Sequence, residues 1–179
     1  MAGSGNGDVL ICALWGPDAR CDESSYRGGS NRRGTDISVE LVVKVPADAK
    51  VTASTVNGAV EVREIGGDVD AATVNGSITA RSLKGRVNAS TVNGSITAQG
   101  AMVGEGVRYT SVNGSITITL PEATGAELDL STVNGRITTE HPVTLDGTIS
   151  RRRVRATMGK GGPALKASTV NGSVTVKKG

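Results

Sequence analysis

Apolar and polar residues alternate one by one along most of this chain, and the alternation restarts in phase around one short motif. T-V-N-G stands at Thr55–Gly58, Thr73–Gly76, Thr91–Gly94, Thr132–Gly135 and Thr169–Gly172, with S-V-N-G at Ser111–Gly114. Its asparagines fall at 57, 75, 93, 113, 134 and 171, in steps of 18, 18, 20, 21 and 37. A period near 18 residues fits one coil of a β-solenoid and is too short for helical-pair repeats. The step of 37 spans about two periods and reads as one missing or degraded copy.

Aligning the copies gives columns. Two places after each glycine stand Val60, Ile78, Ile96, Ile116, Ile137 and Val174, and two further on Val62, Ala80, Ala98, Ile118, Thr139 and Val176. Ahead of the motif stand Val69, Val87, Val107, Leu128 and Leu165, then Ala71, Ala89, Tyr109, Leu130 and Ala167. Separated by polar residues, these columns have the period-2 signature of strands buried on one face. No i, i+3, i+4 stripe is long enough to predict a helix.

Asn-Gly is the preferred pair where a backbone turns with positive φ, and stacked asparagines hydrogen-bond along a ladder. The motif therefore reads as a repeated corner, with its valine pointing inward. The ladder residues are Asn57 and Gly58, Asn75 and Gly76, Asn93 and Gly94, Asn113 and Gly114, Asn134 and Gly135, and Asn171 and Gly172. A second, less regular corner falls at 64–67, 82–85 and 104–106. The fold class predicted is all-β: a parallel β-solenoid of about six coils with an N-terminal strand cap and a C-terminal hairpin insertion.

The ends depart from the period. Residues 1–7 lack the apolar core of a secretion signal and read as a flexible start or a trimmed mature end. Residues 8–46 read as cap strands of the same domain: 8–15, and 36–45 with Ile37, Val39, Leu41, Val43 and Val45 on one face until Pro46 stops it. A solenoid needs such caps because its end strands are unpaired. Residues 47–179 carry the repeats, with an irregular insertion at 140–164 that contains a degraded copy at 145–150. Lys177 and Lys178 close the chain with charge that discourages edge pairing.

Composition changes the picture in two ways. With no Phe, one Trp and two Tyr against 25 Gly, the core is thin and β-branched, and few aromatic faces remain to stack nucleobases or sugars. Nucleic acid is excluded as a partner on that ground, and the net charge of +3 adds little to the contrary. No apolar run is long enough to span a membrane. Cys12 and Cys21 either close a short disulfide loop, as in an exported chain, or stand as two buried free thiols. No metal-ligand cluster and no cofactor motif is visible.

The T-V-N-G-x-I-x repeats, the opening "VKVPADAKVTASTVNG" and the ending "HPVTLDG…ATMGKGGPALKASTVNGSVTV" together resemble the bacterial adhesin-like family of β-strand-repeat domains of unknown function. The resemblance covers the chain from about Val9 onward. It implies a parallel β-helix protein, exported to the periplasm, the cell envelope or the exterior, and it carries over no catalytic residues.

Chemistry is sparse beside this. Glycoside hydrolysis needs two facing carboxylates, and the acids are scattered, with Asp68 and Asp70 flanking one strand. His141 is a lone histidine before a proline, read as a surface or packing residue. The expected function is therefore non-enzymatic: a structural or adhesin-like repeat protein whose partner is a cell-surface glycan or protein. The alternative is a filament subunit that binds its own copies by edge stacking or strand donation. A polysaccharide-acting enzyme ranks behind both. So does an ice-binding surface on the Ser77/Thr79, Ser95/Thr97, Ser115/Thr117 and Ser173/Thr175 grid.

Overall fold

The computed structural model describes residues 2–3, 9–11, 20–21, 26–27, 38–100, 106–145 and 150–179. They divide into two compact units, residues 1–44 and 45–179. In the first, β1 (Ala2–Gly3) pairs antiparallel with β2 (Val9–Leu10), and β3 (Arg20–Cys21) with β4 (Tyr26–Arg27).

The second unit alternates longer and shorter strands. Four coils follow in chain order: β5 (Val51–Asn57) with β6 (Val60–Arg63), β7 (Val69–Asn75) with β8 (Ile78–Arg81), β9 (Val87–Asn93) with β10 (Ile96–Gln99), and β11 (Val107–Asn113) with β12 (Ile116–Leu120). Then come β13 (Ala126–Asn134), β14 (Ile137–Thr139), β15 (Val143–Leu145), β16 (Arg153–Met158), β17 (Ala164–Asn171) and β18 (Val174–Lys178). No helix occurs among the described residues.

The long strands form one sheet in the order β15-β16-β13-β17-β11-β9-β7-β5, and the short ones another in the order β14-β18-β12-β10-β8-β6. All neighbours are parallel except at β16, which runs antiparallel to both β13 and β15. The fold is thus a parallel β-solenoid whose two sheets enclose a thin core. The four inward columns meet there in register: Ile78 faces Ile96 and then Ile116, and Val69 faces Val87. Ile78, Ile96, Ile116, Leu165 and Val174 are fully enclosed. Tyr109 is the one aromatic member of its column, and its register partners are Ala89 and Ala167. Small residues above and below make room for the ring.

The order of the last coils corrects the expected missing copy. The C-terminal pair β17–β18 lies between β11–β12 and β13–β14, so the chain skips a rung, lays down the sixth, and returns to fill the fifth. The six motifs therefore occupy six consecutive rungs, and the step of 37 reflects chain path. The insertion at 140–164 forms the β15–β16 pair, which extends the long sheet beyond β13 and carries its core onward through Ala156 and Met158. Residues 146–149 of the degraded copy lie outside the described residues.

The strand expected over 36–45 differs as well. Residues 38–46 enter no ladder, and Val39, Leu41, Val43 and Val45 are exposed. Counting back one period gives the reason. Pro46 occupies the position where Glu64, Ser82 and Gly100 each donate a backbone N–H to the next coil, and proline has none. Lys44 falls on the inward column of Val62 and Ala80, where its charge is costly to bury. Ile37 lies outside the described residues.

Burial raises the pKa of the Tyr109 phenol well above its ordinary value of 10.0. The neutral form is the one that fits the fold. Above pH ~10 the unfolded chain releases that proton while the folded chain keeps it, so stability falls as pH rises. Urea melts should show a loss of up to about 1.4 kcal/mol per pH unit above pH ~10, a part of which Tyr109→Phe abolishes. Equal slopes for both chains would show that the phenol ionises freely in the fold.

Candidate functional site

The corner ladder and its two flanking surfaces are the features the sequence points to. The corner is built by parity. On β9, Val87 and Ala89 face inward, so Thr91 does too, and Val92 faces solvent. The parity is the same in the other rungs: Thr73, Thr91, Ser111, Thr132 and Thr169 are buried and Thr55 in the end rung is half-buried, whereas Val56, Val74, Val92, Val112, Val133 and Val170 are 37–55% exposed. The valine expected inside is therefore an outward column. Its place is taken by a hydroxyl that can satisfy the corner's backbone. Thr73 donates to the Gly58 carbonyl at 3.0 Å, Thr91 to Gly76 at 2.9 Å, Ser111 to Gly94 at 3.0 Å, Thr169 to Gly114 at 2.8 Å and Thr132 to Gly172 at 2.8 Å.

The asparagines form one column in the order 57, 75, 93, 113, 171, 134. Each Nδ2 donates to the Oδ1 of the previous rung at 2.8–2.9 Å. Backbone bonds run beside them, from Gly76 N to Asn93 O and from Gly94 N to Asn113 O, each at 3.0 Å. The glycines serve differently from the expectation. Gly58 alone of the six has a φ in the left-handed range, at 151°. At Gly76, Gly94, Gly114, Gly135 and Gly172 a Cβ would land on the carbonyl of the glycine in the adjoining rung. Glycine is there because the backbones stack too closely for any side chain.

The short sheet carries two outward columns near its corner. Serine hydroxyls accept backbone N–H bonds from the next rung, Ser95 N to Ser77 Oγ at 3.4 Å and Ser173 N to Ser115 Oγ at 3.2 Å. These serines are engaged in the stack, which leaves the threonines Thr79, Thr97, Thr117, Thr175 and Thr138 as the outward half of the grid, with Glu61 heading their column. A third column, Arg63, Arg81, Gln99, Thr119 and Lys177, runs along the far edge. Beside it lies an open groove of about 450 Å³ lined by Arg63, Arg81, Gln99 and Thr119 of that column, by Glu64, Ser82 and Gly100 of the adjoining corner, and by Pro121 and Gly179. Sequence reading missed this groove, although the 18-residue step from Arg63 to Arg81 was its signal.

The scattered acids are placed singly. Asp68 accepts from Arg86 at 3.1 Å, and Asp70 from Asn88 at 3.2 Å. Asp129 holds Arg153 at 3.1 Å, and Glu122 holds Lys178 at 2.8 Å. His141 is 4% exposed, and its Nε2–H donates to the Lys177 carbonyl at 3.1 Å, which makes it a packing residue that ties the insertion to β18. No group of metal-ligating side chains and no membrane-crossing helix occurs among the described residues. Cys12 lies outside the described residues, as do the surroundings of the Cys21 side chain.

Substitutions at one rung separate these roles. Asn93→Ala removes two ladder bonds and should cost about 1–2 kcal/mol, while Asn57→Ala at the end of the column removes one and costs about half as much. Gly94→Ala forces the backbones apart and should cost more than either, about 3 kcal/mol or above. Val92→Ser should change stability by less than about 0.5 kcal/mol, because its side chain is outside. Chemical denaturation of the four variants checks the order, and a severe Val92→Ser would reverse the assigned parity.

Comparison with protein-family models matches residues 67–177 to the Toastrack family, DUF4097. No curated protein and no solved structure matches the chain. The matched span runs from the second coil to the last strand and takes in every parallel rung but the first. On that match and on its in-register rungs, the chain belongs to the Toastrack domain family of β-solenoid-like folds.

Proposed function

We propose that this protein is a non-enzymatic structural and adhesin-like module of the bacterial envelope or exterior, exported to reach it, which presents repeated side-chain columns to a cell-surface glycan or protein. The observation that carries the proposal is the unbroken column of corners. It sets six rungs at a constant strand spacing of ~4.8 Å, so outward residues recur as straight ladders on a rigid face. A surface of this kind suits a repetitive partner, which gains from many weak and equally spaced contacts.

A second reading rests on the end of the stack. β5 and β6 are the last strands of their sheets at one end, and Val51, Ala53 and Thr55 are only half-buried there. A donated strand would extend that edge. The opposite end of the long sheet finishes in the antiparallel β16 and β15, so a continuous parallel shaft is not what the two ends offer one another.

Incubating the purified chain with intact bacterial cells should give saturable binding, while sedimentation across rising concentration should give a constant monomer mass. Failure to bind any cell, surface glycan or surface protein would remove the adhesive role. A mass that climbs with concentration, with fibres in electron micrographs, would put strand donation in its place.

A further inference from the structure

The groove along the short sheet has features that general adhesion does not require. One side of it is an outward column in register, Arg63, Arg81, Gln99 and Thr119, and Glu64 of the adjoining corner lines it as well. The three side-chain chemistries of this column, on four rungs, all offer hydrogen-bond donors. The corner beside it is sharply bent. Glu64, Ser82 and Gly100, each the first residue after its column member, have φ of 57°, 53° and 137°. Non-glycine residues rarely take this conformation, and here it recurs on consecutive coils. These corner residues line the open groove of about 450 Å³ together with the column.

The first rung shows what the column accepts. Glu61 stands where the other coils have threonine, and its Oε1 lies 2.6 Å from Arg63 Nη2 and 3.8 Å from Arg81 Nε. Both guanidiniums are half or more exposed, so they face solvent with one internal carboxylate between them. Guanidinium forks bind planar carboxylates in bidentate fashion. Beyond them Gln99 and Thr119 offer an amide and a hydroxyl, which suit the alcohols of a sugar. The rung spacing of ~4.8 Å is close to the length of one pyranose ring, so each coil can address one ring of an extended chain.

We propose that this groove binds a linear carboxylate-bearing glycan, an oligouronate, laid across the coils. Its carboxylate sits on Arg81, its hydroxyls on Gln99 and Thr119, and Glu61 acts as a built-in competitor for the guanidiniums. The inference rests on the glycan-binding form of the adhesive reading and narrows it to one face and one ligand class.

Calorimetric titration of the full chain with a short oligomannuronate tests it. Wild type should bind, Arg81→Ala should lose at least about tenfold in affinity and Gln99→Ala several-fold, with melting temperatures unchanged because both side chains are outside. Glu61→Thr, which restores the column's threonine and frees both guanidiniums, should bind several-fold tighter. Val92→Ser, on the other sheet, should bind as wild type does. No binding of oligomannuronate at millimolar concentration would overturn the proposal, and cell binding by the same sample would leave the broader adhesive reading standing. Equal affinity for the carboxyl-reduced oligomer would overturn the carboxylate contact. Equal affinity for inorganic polyphosphate would show a general anion surface and no uronate site. Unchanged or weaker binding by Glu61→Thr would refute the competitor role.

Discussion

Everything in the second unit depends on backbones stacking at the V-N-G corner with nothing between them. The glycines meet carbonyl to Cα along the column, at a distance that excludes any Cβ. Three sets of bonds hold that approach: asparagine to asparagine, glycine N–H to asparagine carbonyl, and a buried threonine or serine hydroxyl to glycine carbonyl. Each is modest by itself, about 1 kcal/mol net. Repeated on consecutive rungs they fix the register of both sheets at once. A slip of one residue would expose every inward side chain and break all three columns.

From that register follow both the core and the surface. The core can be thin because the four inward columns come from strands that cannot shift, so small and β-branched side chains fill it without large aromatics. Tyr109 is accommodated because its rung neighbours are alanines. The outward faces become ladders for the same reason, including the exposed valines on one sheet and the arginine-to-threonine column on the other. Function, on this view, lies in what an outward column repeats and where it changes, as it does at Glu61.

Much of this was legible from the residues. The period of 18, the four inward columns and the asparagine ladder all come from equal spacing, and spacing survives without any knowledge of path. The facing of the valine was legible too, but parity had to be applied. Ala71 and Val74 are three apart, so one regular strand cannot turn both inward, whereas Ala71 and Thr73 share a face. A valine's apolar character was the weaker guide, because a buried threonine that caps a carbonyl leaves no polar group unsatisfied. The glycine role was misread for a related reason. Asn-Gly also marks positive φ, and only the neighbouring rung shows that close stacking is the operative demand at five of the six corners.

The order of the last rungs was not legible, since the distance from Asn134 to Asn171 fits a lost repeat and a detour equally well. The detour matters for folding. The slot between the fourth and sixth rungs is filled by the last residues of the chain, so the stack cannot grow by simple addition from one end. The most direct test uses paired cysteines in a chain with Cys12 and Cys21 replaced by serine. Neighbouring rungs are ~4.8 Å apart, within disulfide reach, and alternate rungs at about twice that are beyond it. Oxidation should therefore link Asn113→Cys to Asn171→Cys, and Asn171→Cys to Asn134→Cys, while Asn113→Cys with Asn134→Cys stays reduced. A ready bridge between positions 113 and 134 would mean that the rungs follow chain order, and would contradict a C-terminal coil inserted between them.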